Sequence, residues 1–131
     1  MTLGQKQELF ARYLPRLIDE AHRQGFDVRL KELLRGEQQA LWNSKHCGVC
    51  NTVSRGHDLA DHDFKPIGIA ESLHCLGLAI DLVLFRDGRP LWASDRYKAL
   101  GEWWERLDPA CAWGGRFNDA GHFSIQHGGK K

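Results

Sequence analysis

Leu78-Ala79-Ile80-Asp81-Leu82-Val83-Leu84-Phe85 is the stretch on which the fold turns. Its period-two alternation puts Leu78, Ile80, Leu82 and Leu84 on one face of a strand and Ala79, Asp81, Val83 and Phe85 on the other. Asp87-Gly88 and then Pro90-Leu91-Trp92 follow, which predicts a hairpin turn. Asp81 is the anomaly, because a carboxylate inside so apolar a strand needs a cation, strong donors or an open cleft. An Arg or Lys partner would meet that need, and so would a metal ion.

The rest of the chain is built around that strand. Leu3, Phe10, Tyr13, Leu14, Leu17, Ile18 and Ala21 recur at three- and four-residue spacing, predicting an amphipathic helix from Leu3 to about His22 that Gln24-Gly25 ends. Phe26 to Leu34 alternates as a strand, and Arg35-Gly36 leads into a short helix from about Glu37 to Trp42. His46 to Ile69 has no period and contains Pro66, so it reads as a long loop of the kind that in a small domain is functional or disordered. Ser94 is the expected N-cap of a helix to about Leu107 whose inner face carries Tyr97, Leu100, Trp104 and Leu107. Trp113 and Phe123-Ser124-Ile125 supply short final strands. Helices and strands mix without a βαβ rhythm, so the expected class is α+β, a small antiparallel sheet flanked by helices in one domain spanning residues 1–131.

Composition narrows the function classes. The chain has 131 residues, 42% of them hydrophobic, with five Trp, which fits a self-sufficient core rather than a disordered segment. A net charge of +1 gives no basic stripe for nucleic acid and no charged patch for a membrane surface. No apolar run reaches the roughly 20 residues of a membrane span, and Met1-Thr2-Leu3-Gly4-Gln5-Lys6-Gln7-Glu8 lacks the apolar core of a secretory signal. The expectation is a monomer made in the cytoplasm.

Two segments carry the residue types of a metal centre: Ser72-Leu73-His74 leading to Asp81, and Asp119-Ala120-Gly121-His122-Phe123 some forty residues on. Two imidazoles and a carboxylate can hold zinc and leave a fourth position for water, which separates catalytic zinc from closed structural sites. Zinc lowers the pKa of such a water to about 7. Asp119, three residues before His122, is the general-base candidate.

The pattern Ser72-x-His74-x-x-Gly77-x-Ala79-x-Asp81 followed by Asp119-x-x-His122-Phe123 resembles the zinc peptidases that cut bacterial cell-wall peptides. These are D-alanyl-D-alanine carboxypeptidases and dipeptidases, and L-alanyl-D-glutamate endopeptidases that serve as phage endolysins. Trp113-Gly114-Gly115-Arg116-Phe117 is similar to the Trp-Gly-Gly segment of the endolysin-like branch, and the resemblance runs from about Phe26 to Phe123. It implies a hedgehog/DD-peptidase-like fold, zinc on His74, Asp81 and His122, Asp119 as catalytic acid/base, and a peptidoglycan stem peptide as substrate, met at the cell wall after release. One departure is His122-Phe123-Ser124, where endolysin relatives often carry His-Phe-Glu. Arg35 in Arg35-Gly36-Glu37-Gln38 matches an Arg-x-x-Gln-like segment of those enzymes and is the candidate for oxyanion stabilisation, against a surface Arg that caps a turn. Ser72 either contacts substrate or fixes the loop before His74. Trp113 either walls the substrate site or anchors the core.

Cys47-Gly48-Val49-Cys50 with His57 and His62 downstream offers a second, structural metal site. A disulfide and free thiols are its alternatives. Cys75 and Cys111 read as small buried residues. Two functions follow from different classes: a zinc peptidase of peptidoglycan, endolysin-like, or a non-catalytic metal-binding module such as a phage structural component. Asp119 favours the first, because a module that only binds metal has no use for it.

Overall fold

The computed structural model describes residues 1–32, 42–46 and 72–131. Helix α1 (Leu3–Arg23) starts at Thr2, whose hydroxyl accepts from the Gln5 N–H while the Gln5 side chain returns to the Thr2 N–H, a capping box. Gln24 caps its end and Gly25 turns the chain out with φ of 92°. Strand β1 (Asp27–Glu32) follows, and residues 42–45 are helical. The expected helix start at Glu37, the end of the first strand at Leu34, and the loop from Cys47 to Ile69 lie outside the described residues.

Strand β2 (Ala79–Arg86) forms the hairpin predicted from Asp87-Gly88 with β3 (Arg89–Pro90). Asp87 and Gly88 both have positive φ, 52° and 74°, as a two-residue type I′ turn requires. Helix α2 (Lys98–Leu107) comes next, then β4 (Cys111–Trp113) and β5 (His122–Ile125). Ser94 does not cap the helix. Ser94–Arg96 is a separate 3-10 turn, and α2 begins at Lys98 after Tyr97, without a side-chain cap. The Tyr97 hydroxyl explains the shift: it donates to the Leu91 carbonyl at 2.7 Å and accepts from the Leu84 N–H at 3.1 Å, tying the start of the helix to the hairpin.

All pairings in the sheet are antiparallel, in the order β1-β2-β5-β4, with β3 on β2. The α+β class and the antiparallel sheet expected from the sequence are borne out. The alternation read in β2 holds as well: Ile80, Leu82 and Leu84 are buried, while Asp81, Val83 and Phe85 are only partly covered. Both helices pack on the first face. Trp104 of α2, fully buried, meets Phe10, Tyr13 and Phe123 edge-on at 6.2–6.3 Å between ring centres. Its indole N–H donates to the Ser124 carbonyl at 3.1 Å, so this central aromatic leaves no polar atom unpaired. With α1 and α2 on one face, Asp81 points to the other.

Candidate metal centre

Strand register brings the first two site residues together. Asp81 of β2 and His122 of β5 are cross-strand partners, so their side chains emerge side by side on the face away from the helices. His74 arrives from a 3-10 turn, Leu73–Leu76, that Gly77 ends with φ of 66°, which folds the chain back into β2. His74 Nε2 lies 3.3 Å and His122 Nδ1 3.1 Å from the same oxygen, Asp81 Oδ1. The two rings stand edge to face, 5.2 Å between centres. One buried ring nitrogen on each, His74 Nδ1 and His122 Nε2, makes no hydrogen bond with the described residues.

Among the described residues, the partners of Asp81 are a pair of histidines. Burial alone would raise its pKa; the hydrogen bonds from His122 and His74 outweigh that and hold the carboxyl well below the usual carboxylate range. An anionic oxygen and two imidazole nitrogens, all within 4.8 Å of one another, form a donor set for a divalent ion. Zinc ligands at about 2.0–2.1 Å in tetrahedral geometry stand about 3.3 Å apart, and the two separations here match that edge. The residues therefore fit zinc, and His74 Nε2, His122 Nδ1 and Asp81 are the groups that would hold it.

Asp119 sits at the edge of this group. Its Oδ2 is 3.9 Å from His122 Nδ1, and its side chain is 55% exposed. Burial of the remainder, followed by the nearby Asp81 charge, raises its pKa, against smaller opposing effects of His122, His74 and Lys31. The backbone that positions it is tight: the Asp119 N–H donates to the Gly114 carbonyl at 2.8 Å, and the His122 N–H donates to the Asp119 carbonyl at 3.1 Å. A side chain at Gly114 would meet the Asp119 carbonyl at 2.1 Å and His122 Cβ at 2.6 Å. Only glycine lets that turn close.

Ser72 is buried, and its hydroxyl accepts from the His74 N–H at 3.2 Å. Of its two readings, this is the geometry of a residue that fixes the turn carrying His74. Trp113 is likewise buried. Its ring lies where a Cβ on Gly101 or Gly115 would fall, and its N–H donates to the Ala120 carbonyl at 2.8 Å. That is an anchor under the Asp119 turn, and no face of it is offered to a substrate. Arg35, Cys47, Cys50, His57 and His62 lie outside the described residues. Cys111 is buried, which pushes its thiol up to about 12, and Cys75 is partly exposed rather than buried.

Three residues beside the site had no functional reading in the sequence, where Trp92 belongs to the hairpin signal and Phe117 to the Trp113–Phe117 segment. Lys31 and Trp92 line, with Asp81 and Asp119, a hollow of about 200 Å³. Phe117, 46% exposed, stands edge-on to the His122 ring at 5.7 Å. Phe117, two residues before Asp119, carried a signal by its place next to the second metal segment; Lys31 and Trp92 carried none.

Comparison with known proteins agrees with this geometry. A family model described as D-alanyl-D-alanine carboxypeptidase matches residues 68–125, the stretch that carries Ser72, His74, Asp81, Asp119 and His122. Among solved structures, the Serratia marcescens L-Ala D-Glu endopeptidase ChiX is similar with a TM-score of 0.54 and 22% identity, covering 88% of this chain and 79% of that one. A likeness at that identity establishes a shared fold. No curated protein matches the sequence. The resemblance read from the two motifs is borne out by the family model over the site and by the structural likeness in fold.

Proposed function

We propose that this chain is a zinc-dependent peptidase that hydrolyses a peptide bond in peptidoglycan stem peptides, in the manner of a phage endolysin. The observation that carries the reading is the convergence of His74 Nε2 and His122 Nδ1 on Asp81 Oδ1, with the Asp119 carboxylate beside them at the mouth of an open hollow. A zinc ion on His74, Asp81 and His122 would supply Lewis acidity, polarising the scissile carbonyl and making water a nucleophile at neutral pH.

Each residue then has a defined task. Asp81, held ionised, contributes negative charge, and the two imidazoles contribute lone pairs. Asp119 accepts a proton from the attacking water and passes it to the amine nitrogen as the C–N bond breaks. Its raised pKa brings it nearer to the working pH of a group that must both take and give a proton. Arg35 is kept as the proposed oxyanion partner. The pair Cys47/Cys50, with His57 and His62, is kept as a proposed structural metal site. A monomer that reaches the wall after release from the cytoplasm completes the proposal. Among the described residues no helix is long and apolar enough to cross a membrane.

Mass spectrometry of purified peptidoglycan fragments after incubation with the zinc-loaded protein tests this reading, with Asp119→Ala as control. New stem-peptide products from the wild type alone support it. Their masses separate cleavage after L-Ala from loss of terminal D-Ala. Unchanged fragments in both would leave a metal-binding module as the better description.

A further inference from the structure

The hollow beside Asp81 and Asp119 has a wall that the chemistry above does not use. Lys31 is one residue of it. Strand β1 pairs Leu30 with Leu82 but Glu32 with Asp81, so Lys31 is an extra residue in a β-bulge. Bulges re-aim side chains next to sites, and this one puts Lys31 on the lining of the hollow, where it is the basic residue among those described. Trp92, 72% exposed, lines it too. Its backbone neighbour is pinned twice: the Leu91 N–H donates to the Leu84 carbonyl at 2.8 Å, and the Leu91 carbonyl accepts from the Tyr97 hydroxyl at 2.7 Å. The indole is thus held out into water by an anchored backbone, an arrangement that fits an aromatic waiting for a partner better than one that has missed the core.

Charge says what that partner carries. Among the described lining residues, a divalent ion on the site would be balanced by Asp81 and Asp119, which leaves the Lys31 ammonium as their one uncompensated charge. We propose that Lys31 and Trp92 form a recognition wall selecting peptides with a free carboxylate close to the scissile bond, Lys31 pairing with the carboxylate and Trp92 covering the adjoining apolar part. This rests on the peptidase reading for the bond that is cut, and on the hollow alone for what is recognised.

The probes are the pentapeptide L-Ala-γ-D-Glu-L-Lys-D-Ala-D-Ala with its carboxylates free and the same peptide with them amidated. Steady-state hydrolysis is measured for the wild type, Lys31→Ala, Lys31→Glu and Trp92→Ala. Both side chains are exposed, so folding is not at stake. The wild type is expected to show a KM about tenfold lower for the free form, the scale of a charge-assisted contact weakened by solvent. Lys31→Ala should bring the ratio close to one, Lys31→Glu should favour the amidated form, and Trp92→Ala should raise KM for both. A Lys31→Ala variant that keeps the wild-type ratio, or a wild type with no preference, overturns the proposal. If the wild type cleaves neither peptide, the peptidase reading fails; calorimetric Kd values of both peptides for the zinc-loaded protein then decide the recognition wall by the same ratio and the same variants.

Discussion

Gly114→Ala places one methyl group where the site has no room for it. The added Cβ would stand 2.1 Å from the Asp119 carbonyl and 2.6 Å from His122 Cβ, whereas ordinary contact begins at 3.4 Å. Neither neighbour is the free end of a flexible side chain. The Asp119 carbonyl is bonded to the His122 N–H, and the Asp119 N–H to the Gly114 carbonyl, so the turn must move as a unit by roughly 1 Å. Overpacking of this kind costs about 1–3 kcal/mol, and a displacement of about 1 Å at reacting groups can cost about 100-fold in rate. Urea denaturation and turnover of a stem peptide, measured side by side, check both numbers. Gly4→Ala is the control, because nothing lies within 4 Å of a Cβ there and the position is helical. Gly114→Ala with wild-type turnover would refute the claim that this turn sets the position of Asp119 and His122.

Two further outcomes follow from the same structure. In metal-free protein, the folded Asp119 carboxyl titrates above its ordinary value, so the folded state holds the proton longer and stability falls as pH rises from the ordinary value through the raised one. Asp119→Asn removes that fall: it should be more stable than the wild type above this interval by less than about 1 kcal/mol, since a half-exposed carboxylate is screened, and equal below it, as read by urea titrations across pH. A variant less stable at neutral pH would show that the Asp81 and burial effects are misjudged. Tyr97→Phe leaves the buried Leu84 N–H without its acceptor and should lose about 1–3 kcal/mol in denaturation.

Much of this architecture was open to reading in the sequence. The Leu78–Phe85 alternation, the Asp87-Gly88 turn and the helix from Leu3 are local signals, and each was followed by the chain because tertiary contacts agree with it. Ser94 is a good capping residue type that is outweighed by a distant bond, that of the Tyr97 hydroxyl to the hairpin. Asp81 announced itself as a carboxylate in an apolar strand, but its neighbour across the sheet is set by β2–β5 register, which spacing does not encode. The two roles left open for Ser72 and Trp113 depended on where one hydroxyl and one indole N–H point. Lys31 was invisible for the same reason, because a bulge is a relation between two strands.

The central claim is that His74, Asp81 and His122 hold the ion on which hydrolysis depends. Its most direct test strips the protein of metal with a chelator and follows stem-peptide hydrolysis while zinc is titrated back, in the wild type and in His122→Ala. The account predicts no hydrolysis in the stripped wild type, recovery that saturates as the first tight site fills, and no recovery in His122→Ala. Hydrolysis that persists in the stripped protein, or that returns in His122→Ala as it does in the wild type, would contradict it.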